Sequence, residues 1–144
     1  MKHLLSRRVS HIILAALIIL VSLPLAACTG TQSSPTVLDA GPNDMNISGA
    51  QFSQYNFYRF DTAATGHTLT LPSAVDLVSA FSGATNGVFT VFIVAADGNN
   101  PVNIAAGAGV TVKPSAAAIP GNHTQTLCCV FTGVSSGSES VSIY

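Results

Sequence analysis

The stretch VFTVFIVA, residues 88–95, decides the fold class. It is an apolar run of strand length, rich in β-branched and aromatic side chains. Only one of its eight residues is polar, so both faces of the strand are expected to be covered by other parts of the protein. The run therefore predicts a central strand of a β-sheet.

Shorter segments on both sides continue the strand pattern. Residues 68–71 alternate between polar and apolar with a period of two, which predicts a half-buried strand. Turn-forming residues separate the segments, as at 97–101 and 135–138. Further strands are predicted at residues 55–60, 102–104, 110–112, 124–132 and 140–144.

One short helix is predicted after residue 72. Ser73 is a suitable N-cap, and Asp76 three residues later completes a variant capping box. Gly83 is expected to end the helix. A single helix among seven or eight strands predicts an all-β fold, specifically an antiparallel β-sandwich of the jelly-roll type.

The composition narrows the class of protein. The chain has 144 residues, of which 48% are hydrophobic and only 8% are charged, whereas an average soluble domain has about 25% charged residues. This length supports one folded domain. A net charge of −1 does not provide the basic surface that nucleic-acid binding requires, so no nucleic-acid partner is expected.

The N-terminus has the three parts of a secretory signal. Residues 1–8 contain Lys2, Arg7 and Arg8, and residues 12–23 form an apolar run. That run is shorter than the roughly 20 residues of a membrane-spanning helix. It is followed by the sequence LAAC at residues 25–28. An ordinary secretory signal that ends near a cysteine is one interpretation.

The LAAC sequence also resembles the lipobox of bacterial lipoproteins. This resemblance implies that residues 1–27 are a signal peptide, that the Cys28 thiol receives a lipid, and that Cys28 becomes the N-terminus. The expected partner is then a membrane, through the lipid anchor. The expected location is the cell envelope, and the outer membrane if the source is Gram-negative.

The mature chain would be residues 28–144. It contains two basic residues, Arg59 and Lys113, and six acidic residues, which gives a net charge of −4. Residues 28–45 are mostly small and polar, so they predict a flexible tether. The β-sandwich domain is then expected at residues 46–144.

The segments HTLTLPSA (67–74), AAGAGVTV (105–112) and FTGVSSGSESV (131–141), together with the strand at 89–94, are similar to a small β-domain of phage tail-fibre and viral surface proteins. The resemblance implies a display or attachment module, and a homotrimer. It brings no catalytic residues. A virus or a bacterium could encode such a module.

Three aromatic residues are candidate ligand contacts. Tyr55, Phe57 and Tyr58 could form a platform for a sugar, because aromatic rings stack on apolar ligand faces. The alternative is that they pack in the core and at a sheet edge. A carbohydrate-binding module is therefore the alternative function, and the partner would be a glycan or a protein.

Cys128 and Cys129 are adjacent on a predicted strand, where neighbouring side chains point to opposite faces. They are poorly placed to bond each other. Three interpretations stay open: one core and one surface thiol, a disulfide between the two, or a bridge between chains. The chain has no Cys-x-x-Cys spacing, so no zinc site is expected, and no cofactor is predicted.

A hydrolase using Cys128 or Cys129 with His123 and Asp97 is a further hypothesis. The sequence has no His-Glu-x-x-His motif. Its one Gly-x-Ser-x-Gly pattern, residues 133–137, overlaps a predicted turn between two strands, whereas the nucleophile elbow of hydrolases joins a strand to a helix. His67 and His123 are better interpreted as exposed histidines at strand starts. The sequence as a whole predicts a non-enzymatic surface lipoprotein whose β-domain serves display, assembly or attachment.

Overall fold

The structure is a computed structural model and describes residues 35–81 and 83–144. The predicted signal peptide at residues 1–27 and the predicted lipidation site at Cys28 lie outside the described residues. Within the described ranges, no helix has the length and apolarity needed to cross a bilayer.

Ten strands and two short α-helices make up this part of the chain. The helices are α1 (Gly49–Gln54) and α2 (Ala74–Ala80), and a 3-10 turn covers Pro114–Ala116. The strands are β1 (Val37–Gly41), β2 (Met45–Asn46), β3 (Phe57–Phe60), β4 (His67–Thr70), β5 (Phe89–Ala96), β6 (Val102–Ala105), β7 (Val110–Val112), β8 (Ala118–Ile119), β9 (His123–Gly133) and β10 (Ser140–Ile143).

The strands form two sheets, and the fold is mainly β. The larger sheet has the order β1-β3-β5-β9-β10-β7, and the smaller has the order β2-β4-β6-β8. From β1 to β9 the chain alternates between the two sheets, with one strand in each in turn. The helices lie in two of these crossings, α1 between β2 and β3, and α2 between β4 and β5.

The prediction of an antiparallel arrangement is wrong for most of the strand pairs. Among the described residues, β1-β3, β3-β5, β2-β4, β4-β6 and β7-β10 are parallel pairs. Only β5-β9, β9-β10 and β6-β8 are antiparallel. The alternation between sheets explains this. In the pairs β1-β3, β3-β5, β2-β4 and β4-β6, the chain passes through a strand of the other sheet, which provides the crossover that parallel pairing requires.

The predicted central strand is confirmed. β5 lies between β3 and β9 in the larger sheet, and its side chains Phe92 and Val94 are buried in the core. On the opposite side of the strand, Val91 and Ile93 are partly buried. The uninterrupted apolar run therefore reflects a strand with a neighbour on each edge and little exposed surface on either face.

The folded part begins earlier than the sequence predicts. β1 lies within residues 28–45, the stretch interpreted as a tether, and β2 begins at the last residue of that stretch, Met45. β1 is anchored by its parallel pairing with β3, in which Val37 is opposite Phe57. These strands have five and two residues, too short to show a clear hydrophobic period.

The predicted helix is confirmed at its N-terminus, and it is joined by a second helix. The Ser73 hydroxyl accepts a hydrogen bond from the Asp76 backbone N–H at 3.2 Å, which caps α2. Helix α1 is capped in the same way by Ser48, and the Gln51 side chain completes a full capping box. The fold therefore has two α-helices where the sequence predicted one.

One apolar cluster contains the buried residues of both sheets and both helices. It includes Phe92, Leu127 and Phe131 from the larger sheet and Leu69 and Ile104 from the smaller one. The helices contribute Phe52 and Leu77. Phe52 packs against Tyr58 and Phe92 of the larger sheet. Tyr55 and Phe81 nearby are only partly buried, so the core has an edge next to solvent here.

Candidate functional site

A cleft opens at this edge of the core, where the end of α1 meets the start of β5. Its volume is about 200 Å³. The described residues that line it come from four separate segments: Thr36, Phe52, Ser53, Gln54, Tyr55, Asn56, Phe81, Thr90, Val91 and Phe92. None of these side chains carries a charge at neutral pH.

The base of the cleft is aromatic. The Phe52 and Phe92 rings meet edge to face, with their centroids 5.0 Å apart, and Phe81 meets Phe52 in the same way at 6.1 Å. Phe52 and Phe92 are almost fully buried, whereas Phe81 and Tyr55 are partly exposed. The partly exposed rings are therefore the ones that a ligand in the cleft would contact.

Hydrogen bonds hold the polar rim in position. The Asn56 Oδ1 accepts from the Thr36 backbone N–H at 2.8 Å, and the Asn56 N–H donates to the Thr36 carbonyl at 3.2 Å. The Asn56 carbonyl accepts from the Ile93 N–H at 2.8 Å. These bonds fix Asn56 between β1 and β5 and leave its amide nitrogen available.

Tyr55 is fixed through its backbone. Its N–H donates to the Gln51 carbonyl at 2.9 Å, and its own carbonyl accepts from the Tyr58 hydroxyl at 3.0 Å. Within the described residues, no hydrogen bond occupies the Gln54 amide, the Tyr55 hydroxyl or the Asn56 Nδ2. The rim therefore has several polar groups available, and the Asn56 side chain among them is held in place by its bond to Thr36.

The three predicted aromatic contacts have different environments. Tyr55 lines the cleft, as a ligand contact should. Tyr58 is fully buried in the core, and burial raises the pKa of its hydroxyl. Phe57 is partly buried and is opposite Val37 and Ile93 on its neighbouring strands. The structure therefore does not bring the three rings together as one surface platform, because Tyr58 points into the core.

The two adjacent cysteines point to opposite faces of β9, as predicted from strand geometry. Cys129 is a fully buried, free thiol in the core cluster, and burial raises its pKa from 9.0 to about 12. Cys128 is also buried, and it is opposite Val91 on β5. The structure does not join Cys129 to Cys128. A raised pKa makes the Cys129 thiolate scarce at neutral pH, so this thiol is a poor nucleophile.

The proposed Cys–His pair is not assembled. His123 is the first residue of β9, five positions before Cys128 on the same strand, which corresponds to roughly 16 Å at 3.3 Å per residue. The His123 Nδ1 lies 2.7 Å from the Gly121 carbonyl. Asp97 is exposed and lies 3.6 Å from Arg59. The distances between these groups in the fold could not be derived from the sequence.

His67 differs from its predicted environment. It begins β4, as expected, but only 5% of it is exposed. Its ring stacks on Phe60 at a centroid distance of 6.4 Å, and its Nδ1 lies 3.5 Å from an Asp44 carboxylate oxygen. His123 is exposed, as predicted.

The sequence did not identify Phe52, Gln54 or Phe81 as cleft residues. The capping box that begins at Ser48 would have predicted α1 and so placed Phe52 on its buried side. No short stretch of sequence predicts that α1, the end of α2 and β5 come together, because their contact depends on parallel pairing between distant strands.

The described residues contain no group of three or more His, Cys, Asp or Glu side chains arranged to hold a metal ion. No family model, no curated protein and no solved structure matches the chain.

Proposed function

We propose that the protein is a non-enzymatic lipoprotein of the cell envelope, whose β-domain serves display, assembly or attachment at the surface. The observation that carries this proposal is the sequence LAAC at residues 25–28, directly after an apolar run of 12 residues with a basic N-terminal flank. Small residues before the cysteine give access to the peptide bond, and the thiol is the natural nucleophile for alkylation.

The arrangement of the domain is consistent with a lipid anchor. The first strand begins at Val37, so nine residues, 28–36, connect the lipidated cysteine to it. Fully extended, such a segment spans at most about 30 Å. The domain would therefore stay close to the membrane surface. For the β-domain itself, we propose that the two sheets pack as a sandwich over their shared core.

The low charge of the domain supports a surface role. The mature chain has only eight charged residues, and Arg59 already pairs with Asp39 at 2.6 Å. Surfaces with few like charges associate with a partner without much repulsion. A carbohydrate-binding role is the second candidate, and the cleft beside Tyr55 is the observation that favours it.

Metabolic labelling with an alkynyl palmitate analogue tests the anchor. We expect the full chain to incorporate the label and Cys28→Ala to lose it. Cys129→Ala is the matched control, since it removes a free thiol but should keep the label. The anchor would be excluded if the wild-type chain stayed unlabelled or if Cys28→Ala were labelled as strongly as wild type.

A further inference from the structure

The geometry points to the cleft between α1 and β5 as a binding site for a neutral saccharide, one pyranose ring at a time. This inference deepens the attachment function and rests on it, because it names the chemical class that the surface domain would bind. It is argued from the size of the cleft, its aromatic walls, its polar rim and its lack of charge.

The size of the cleft selects a small ligand. Pockets for drug-sized molecules have volumes of roughly 300 to 1,000 Å³, whereas this cleft has about 200 Å³. It therefore accommodates one ring of a glycan and leaves the rest of the glycan in solvent.

The walls fit the apolar face of a sugar ring. A pyranose presents C–H groups with partial positive charge, and the face of an aromatic ring is negative. Tyr55 and Phe81, which are partly exposed, line the cleft together with the buried Phe52 and Phe92. The edge-to-face packing between Phe52 and Phe81 holds this wall in place.

The rim fits the hydroxyl groups of the same sugar. A hydroxyl both donates and accepts hydrogen bonds, and side-chain amides offer both functions. Gln54, Tyr55 and Asn56, whose side chains carry amide and hydroxyl groups, line the cleft. Asn56 is held by Thr36 and Ile93 before any ligand arrives, so binding costs little additional ordering there.

The charge of the site selects neutral sugars. The described lining residues provide no cation to pair with a uronic or sialic acid. The mature chain carries a net charge of −4, which repels such anions further. A peptide ligand would need partners for its charged termini or side chains, and the cleft provides none.

Saturation-transfer NMR on the full-length protein in detergent tests the inference. The probes are glucose, galactose, mannose and N-acetylglucosamine, with glucuronic acid as the charged comparison. We expect at least one neutral sugar to bind, and to bind at least tenfold more tightly than glucuronic acid.

Variants locate the binding. We expect Tyr55→Ala to weaken binding at least tenfold and Gln54→Ala to weaken it about threefold. Tyr55→Phe keeps the ring and should retain most of the binding. Tyr144→Ala is the matched control, because Tyr144 is exposed but lies next to Lys113, outside the cleft. Circular dichroism of each variant confirms that it is folded.

Three outcomes would overturn the inference: no neutral sugar binds, Tyr144→Ala weakens binding as much as Tyr55→Ala, or a phenylalanine-containing tripeptide binds in place of the sugars. The palmitate label on Cys28 is read from the same preparations. A labelled protein that binds no sugar leaves the anchor intact and removes only the saccharide site.

Discussion

Cys129 shows how burial changes the chemistry of a single residue. The same side chain that suggested a nucleophile in the sequence is fully buried among Leu127, Phe131 and their neighbours in the core. An ionised thiolate there would lose its hydration, so burial raises the pKa of the thiol to about 12. At neutral pH it is a small apolar side chain.

This shift predicts how stability depends on pH. The pKa of the folded state, about 12, lies above the ordinary value of 9.0, so the unfolded chain loses the Cys129 proton first. The stabilisation is complete below pH 9 and is lost as the pH rises toward 12. The slope is at most about 1.4 kcal/mol per pH unit.

Urea unfolding between pH 7 and pH 11 measures this slope. We expect the free energy of unfolding to fall above pH 9 in wild type, and to fall less steeply in Cys129→Ala. Burial also raises the pKa of Tyr58, but Tyr58 is present in both proteins, so its contribution cancels in the comparison. Equal slopes in the two proteins would contradict the burial of the Cys129 thiol.

At the scale of elements, the sequence predicted those segments that carry their own signal. The strands β5 and β9 have eight and eleven residues, long enough to show apolar and β-branched enrichment. Helix α2 was predicted from Ser73, because a capping hydroxyl is a local feature that tertiary contacts need not supply.

Elements that depend on distant partners were not predictable. β2 and β8 have two residues each, and they exist because β4 and β6 offer them an edge. Strand direction has the same origin, since a short alternating strand looks alike in parallel and antiparallel sheets. The cleft lies where four such distant segments meet, and of the three predicted aromatic contacts only Tyr55 lines it.

The cap of α2 makes a prediction at this scale. Ser73→Ala removes the acceptor of the Asp76 N–H and also the 2.7 Å bond to the Asp76 carboxylate. We expect it to lower the free energy of unfolding by about 1 kcal/mol. Ser79→Ala, at an exposed position of the same helix, should change it by less than about 0.5 kcal/mol.

Urea midpoints of the two variants measure the difference. If Ser73→Ala were as stable as Ser79→Ala, the cap would contribute nothing and α2 would be held by the packing of Leu77 alone. Leu77 is fully buried in the core and is present in both variants. The difference in stability between the variants therefore reports the cap and not the packing.

For the whole molecule, the resemblance to phage and viral surface domains predicts a homotrimer. Light scattering on the full-length protein in detergent, with the detergent contribution subtracted, measures its mass. We expect about three times the mass of a single chain. The mass of one chain would contradict the trimer, while leaving the cleft and the anchor unaffected.

We propose that in the cell a lipid on Cys28 anchors the protein and keeps its β-domain at the membrane surface. Mass spectrometry of the N-terminal peptide from membrane-extracted protein tests this most directly. We expect a peptide that begins at Cys28 and carries the added mass of a diacylglycerol. A peptide that begins elsewhere, or one that begins at Cys28 with an unmodified thiol, would contradict it.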